Sequence, residues 1–195
     1  MPVKAHNMEA SLARSHSASD LPIWEELYRN AFPDFAAMVD HRQDGEHQRA
    51  GIDRSIILTT SKQYLVDEKA RGRNKKTGKI YTDILLEYLS DEERGIPGWV
   101  CKPLRADYIA YAIVPLGRAY LLPVVQLQAA WKVNGKKWIE YAKDRNNRQF
   151  SHIRAFNRDG NRTWTTVSVG VPVSVLFPEI GRMLRVRFAP HEFVE

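Results

Sequence analysis

GIDRSIILTTSKQYLVDEKAR, residues 51–71, is the stretch on which the reading of the fold turns. It holds two runs rich in branched and aromatic residues, GIDRSIILTT and KQYLVDEKA, separated by a short polar turn around Ser61. That pattern predicts two adjacent antiparallel strands. Side chains alternate along a strand, so Asp67 and Lys69 share one face and Glu68 takes the other. A hairpin turning near Ser61 places position 53 opposite roughly position 69, so that Asp53, Asp67 and Lys69 meet at one end of the sheet. Tyr64, Leu65 and Val66 put apolar groups on both faces just before Asp67, as in a buried strand. Two carboxylates and an ammonium at the end of such a strand are costly unless a metal or a substrate compensates them.

The chemistry that suits this trio is metal-assisted phosphodiester hydrolysis. The hard oxygens of Asp53 and Asp67 can hold Mg²⁺, which keeps several waters and also meets a phosphate. The cation lowers the pKa of its bound water and offsets charge on the pentavalent phosphorus. Mn²⁺ is an alternative. Lys69 has three open roles: positioning the attacking water, helping to deprotonate it, or stabilising developing charge.

Asp53, followed 14 residues later by Asp67-Glu68-Lys69, resembles the metal site of the PD-(D/E)XK nuclease superfamily. That site pairs an acidic residue with a downstream (D/E)-x-K on the next strand. Ile52 stands where the family motif has proline, a variable position. The resemblance spans about residues 20–125 and implies a restriction-endonuclease-like core, a central mixed sheet flanked by helices. It also implies a further acidic residue on the preceding helix. Glu25 is the choice for that role, with Glu26 as the fallback.

Outward from the hairpin, residues 1–18 read as a flexible tail and 19–195 as one nuclease-like domain. A helix starts near Ser19-Asp20 and runs through LPIWEELYRNAF, with Trp24, Leu27, Tyr28 and Ala31 on one face. FAAMVDH reads as a strand, and YTDILLEYLS as strand or helix. WVCKPL, DYIAYAIV and RAYLLPV read as strands, with a turn at Gly117-Arg118. VVQLQAAWKV reads as a helix interrupted near Asn134-Gly135 and resumed in KKWIEYAKD. RTWTTVSVGVPV is a strand and VSVLFPEIG a short helix. The order argues for a mixed α/β (α+β) class.

The 195 residues carry a formal net charge of +6, unevenly spread. Residues 69–79 contribute +6 and residues 132–162 another +6, which leaves −6 elsewhere. Two basic blocks on an acidic body suggest a footprint for a polyanion. Arg71, Arg73, Lys75 and Lys76 follow the acidic trio directly. In a basic loop near 143–163, Arg145, Arg148, Arg154, Arg158 and Arg162 interleave with Phe150, His152, Phe156 and Trp164, which suits backbone contacts plus base stacking. His41 and His47 flank the loop before Asp53 and read as solvated.

The single cysteine, Cys101, excludes an intrachain disulfide framework, and it falls in an expected strand. No apolar run or signal-peptide core points to a membrane or to export, so a cytoplasmic setting is expected. No Gly-rich phosphate loop, HExxH or Gly-x-Ser-x-Gly occurs. The expectation is a Mg²⁺-dependent DNA endonuclease of DNA processing, in repair, recombination or a phage-related system. DNA is preferred over RNA as partner, and a homodimer is left open. The alternative is a noncatalytic nucleic-acid-binding protein that keeps the nuclease fold.

Overall fold

The computed structural model describes residues 6–7, 18, 20–75, 77–181 and 184–191. In chain order its elements are β1 (His6–Asn7), α1 (Ile23–Ala31), β2 (Phe35–Asp40), α2 (Gly45–Arg49), β3 (Arg54–Leu58) and β4 (Gln63–Arg71). Then follow β5 (Asp83–Asp91), β6 (Ile96–Pro97), β7 (Tyr108–Ile113), a 3₁₀ turn (Val114–Leu116), β8 (Arg118–Pro123) and α3 (Val124–Lys143). The chain ends with β9 (Ser151–Asp159), β10 (Arg162–Pro172), α4 (Val173–Ile180) and β11 (Leu184–Arg187). The class is mixed α+β. Among the described residues no helix is long and apolar enough to cross a membrane. Apart from His6–Asn7 and Ala18, the expected tail over 1–18 lies outside the described residues.

Residues 19–195, read from the sequence as one domain, group into two compact units. The first unit takes 17–81, 104–126 and 180–195. Its sheet runs β11-β8-β7-β4-β3-β2. β2, β3 and β4 form an antiparallel meander, and β7 lies parallel to β4. α1 packs Ile23, Trp24, Leu27 and Tyr28 against Ile56, Leu58, Val66, Ala110, Ala112, Ala119 and Leu121. Glu25 and Glu26 at its first turn suit the positive helix end. The helix stops at Phe32, whose extended backbone (φ −123°, ψ 101°) is what a following proline imposes.

The second unit takes 1–16, 82–103 and 127–179, with the sheet β1-β9-β10-β5-β6. β10 pairs antiparallel with both β5 and β9. Gly170 of β10 lies where a Cβ would come within 2.1 Å of Asp83 Oδ2 and of Ser151 Oγ, so only glycine fits there.

Several expectations change. α3 runs through Asn134-Gly135 without a break, because Trp131 lies against Gly135 and Asn134 donates to Ala130 O and Glu179 Oε2. Cys101 is exposed in a turn after Gly98 rather than in a strand. Most of the basic loop near 143–163 is the β9–β10 hairpin, turning at Gly160 (φ 54°). Pairing with β10 makes β9 a strand where its own alternation is weak. YTDILLEYLS resolves as strand β5.

Candidate active site

The β3–β4 hairpin closes more tightly than a turn centred on Ser61 allows. Leu58 N donates to Lys62 O, and Ser61 takes a left-handed φ of 62°. This is a three-residue loop with its last residue left-handed. The ladder therefore pairs Arg54 with Val66 and Ser55 with Leu65, and Asp53 N donates to Val66 O at 2.9 Å. Asp53 falls level with Asp67, not Lys69. The correction brings the two carboxylates closer together than the expected register did.

Asp53 sits one residue before β3, where the chain leaves the ladder. Ile52 N donates to His47 O at 2.9 Å, and His41 N to Asp53 O at 2.8 Å. Beyond this point β4 has no backbone partner from β3, and Asp53 supplies one from its side chain. Oδ2 accepts the Glu68 N–H at 2.7 Å. The carboxylate is thereby oriented by the peptide of the residue between Asp67 and Lys69.

Asp67 is buried, and Lys69 Nζ donates to its Oδ1 at 2.7 Å. The Asp53 carboxyl is close enough to hydrogen-bond with it. Burial pushes the Asp67 pKa up to about 6, against the pull of the Lys69 ammonium and with a further push from Asp53. The Lys69 side chain remains 30% exposed, so this cluster reaches solvent through its cation. The structure thus brings together Asp53, Asp67 and Lys69.

Glu68 points to the other face, as alternation requires, and is buried beneath α1. Tyr28 Oη donates to its Oε1 at 2.8 Å. Arg54 Nε lies 2.7 Å from the same oxygen, a charge contact off the hydrogen-bond axis. Glu68 Oε2 is buried and makes no hydrogen bond. Burial raises the Glu68 pKa to about 7, although Arg54 and the Tyr28 hydroxyl lower it. The sequence reading missed Tyr28, Arg54 and Glu68 as a group. Its available signal was a pair of opposite charges at core-facing positions of two otherwise apolar strands.

Glu25 is not brought to the acidic pair. Its carboxylate meets Arg29 at 2.6 Å, with 46% of its side chain exposed, and it does not figure among the groups acting on Asp67 or Glu68. At 100° per residue, Glu25 and Glu26 each lie roughly 130° from the centre of the face formed by positions 23, 24, 27 and 28. Tyr28 is what the helix contributes instead.

The basic residues divide. Arg71 is buried at 2% exposure, its guanidinium 3.9 Å above the Tyr81 ring. It is therefore a packing residue rather than a surface phosphate contact. Arg73 donates to Gly78 O, Lys75 is exposed, and Lys76 lies outside the described residues. Lys79, not singled out from the sequence, is exposed with its ammonium 5.7 Å from the Tyr81 ring centre. In the second unit Arg145, Arg148, Arg154, Arg158 and Arg162 are all exposed. Arg154 pairs with Glu92, Arg158 Nε donates to Gly160 O, and Arg162 stacks over Trp164 at 5.2 Å.

His41, Asp44 and His47 bring one donor atom each within 4.8 Å of one another, a spacing that could hold a metal. The two imidazoles, however, stack at 4.0 Å with planes 6° apart. Parallel, offset ring planes share no point, so both rings cannot aim in-plane lone pairs at one ion as they stand. Asp44 instead caps α2 and accepts from His47 Nδ1 at 2.8 Å, and His41 Nε2 lies 2.7 Å from Ser55 Oγ. These bonds brace the loop that delivers Asp53.

No family model matches the chain, and no curated protein or solved structure matches it.

Proposed function

We propose that the protein is a divalent-metal-dependent nuclease, a DNA endonuclease with a restriction-endonuclease-like core in its first unit. The observation that carries this reading is the buried Asp67 carboxyl, with the half-buried Asp53 carboxyl acting on it and Lys69 Nζ 2.7 Å from its Oδ1. The placement agrees with the resemblance: an acid at the head of one strand, and Asp-x-Lys on the next.

The residues fit a hard divalent cation on their own chemistry. The donors are carboxylate oxygens only, the two carboxyls sit in hydrogen-bond reach of each other, and one positive charge from Lys69 faces the two negative ones. Mg²⁺ or Mn²⁺ held by Asp53 and Asp67 would supply charge neutralisation and an acidified water. The Glu68 N–H holds the Asp53 carboxylate in one orientation. The Lys69 ammonium, anchored on Asp67 yet partly exposed, is placed to donate a hydrogen bond to a phosphate oxygen as negative charge builds on it. Exposed arginines of the β9–β10 hairpin and the loop before it supply sequence-independent contacts to a phosphate backbone.

The test is cleavage of linear, circular, branched and single-stranded DNA, and of RNA, with Mg²⁺ and with chelator. Metal-dependent cleavage that Asp67→Asn and Lys69→Ala abolish supports the proposal. Cleavage that survives those changes refutes the site, and binding with no metal-dependent cleavage by the wild type favours the noncatalytic nucleic-acid-binding alternative.

A further inference from the structure

We infer that Glu68, anchored beneath the sheet by Tyr28 and Arg54, is the positioning residue for the Asp53–Asp67 pair. Glu68 acts on both faces of β4 at once. Its side chain is buried on the α1 face, where Oε1 receives the Tyr28 hydroxyl at 2.8 Å and lies 2.7 Å from Arg54 Nε. Its peptide N–H holds Asp53 Oδ2 at 2.7 Å. One rigid residue thus joins a helix 40 positions earlier in the chain to the carboxylate that would meet a cation.

Three features make this more than packing. Asp53 lies one residue before β3; Val66 O and His41 N hold its backbone, and the Glu68 peptide N–H holds its carboxylate. Arg54 is the next residue after Asp53, so the charge contact under the sheet also ties down the backbone that carries Asp53. Finally, Glu68 Oε2 is buried without a hydrogen bond, and a buried pair with such a deficit is a poor stabiliser compared with apolar side chains of the same volume. A role in geometry accounts for its place here. Groups behind a metal ligand that orient it commonly change metal affinity by 10–100-fold when removed.

The inference rests on the metal-site reading above, and one experiment separates the two. Mn²⁺ binding to the full chain is followed by calorimetry and by Mn²⁺ EPR at a temperature where every variant is folded. The variants are wild type, Tyr28→Phe, Glu68→Gln and, as the outward-facing control on the same helix, Glu25→Gln. Wild type binds Mn²⁺, Tyr28→Phe and Glu68→Gln weaken it about tenfold or more, and Glu25→Gln leaves it unchanged. In cleavage, the two site variants lower kcat with little change in the substrate KM. Glu68→Gln keeps its peptide N–H and Tyr28→Phe removes only a hydroxyl; far-ultraviolet circular dichroism at the working temperature confirms that each variant is folded before binding is compared. Wild-type binding that Tyr28→Phe and Glu68→Gln leave intact overturns the positioning role alone. A wild type that binds no Mn²⁺ overturns this inference and the metal-dependent reading together.

Discussion

Arg54→Met isolates the energetics of the charge pair beneath α1. The Arg54 side chain is 7% exposed and that of Glu68 1%, so methionine leaves a carboxyl in an apolar pocket with the Tyr28 hydroxyl as its remaining donor. Breaking a buried pair from one side costs about 3–5 kcal/mol when the partner stays charged. Glu68 has an escape, because it can bind a proton. Its folded pKa is already raised to about 7 from 4.5, and loss of Arg54, which lowers it, raises it further. A carboxyl whose folded pKa is raised contributes most to stability below its unfolded pKa, and that contribution is lost as pH rises through the folded value. At pH 5 the carboxyl is protonated in both proteins, and Arg54→Met costs about 1–2 kcal/mol for lost packing and polar contact. At pH 8 the cost grows by up to about 1.4 kcal/mol, to about 2–3 kcal/mol, because the wild-type carboxyl ionises near 7 while that of the variant stays protonated. Urea unfolding followed by far-ultraviolet circular dichroism at the two pH values reads the difference. The triple change Tyr28→Phe, Arg54→Met, Glu68→Leu removes every polar member and should return stability at pH 8 to within about 1–2 kcal/mol of wild type. Equal costs at pH 5 and pH 8, or a triple variant no more stable than the single one, would refute the reasoning.

Asp67, raised to about 6 mainly by burial, makes the metal-free protein lose stability as pH rises from about 4 to about 6; Asp67→Asn should flatten that part of the melting-temperature profile measured in chelator. On the proposed site, Mg²⁺ should raise the melting temperature of wild type and not that of this variant, and a shift that the variant keeps would place the metal elsewhere. Arg148→Ala, at an exposed position, should weaken DNA binding and reduce the slope of log K against log salt by about 1. Arg71→Ala should leave that slope unchanged and lower the melting temperature, because Arg71 is buried against Tyr81. Gly170→Ala forces a methyl to within 2.1 Å of Asp83 Oδ2 and Ser151 Oγ, and should cost about 1–3 kcal/mol or more in unfolding experiments.

The hairpin was legible because its signals are local: branched residues, alternation, and a polar turn between them. Its register was not, since one residue in the turn centre moves every pairing by two, and Ser61 in a left-handed conformation is not a sequence-obvious choice. The helix was legible from Trp24, Leu27 and Tyr28. Assigning it Glu25 failed because a place in the first turn says nothing about facing the sheet, and the angular position of Glu25 sends it outward to Arg29. β9 was missed because its pairing partner, not its own pattern, makes it a strand. Arg71 was misplaced for the related reason that a basic run does not reveal which of its cations finds an aromatic ring.

The core-facing charges of β3 and β4 carry the deepest consequence. A strand pair selected only for stability would put leucine or methionine at positions 54 and 68, beside Tyr28 of the helix. Instead, two ionisable groups sit there with one carboxylate oxygen left without a hydrogen bond. On the opposite face, through the same peptide, lies the carboxyl pair Asp53 and Asp67, in which burial, and then the charge of Asp53, raises the Asp67 pKa. Burial raises the pKa of a carboxyl on each face despite its cation, and both arrangements are tied to the same residue, Glu68. On the site proposed above, Glu68 gives up stability for geometry on both faces of one strand. A cation between Asp53 and Asp67 would relieve the upper face. On the lower face Arg54 and the Tyr28 hydroxyl offset part of the cost of burying Glu68, and its pKa of about 7 shows that burial outweighs them.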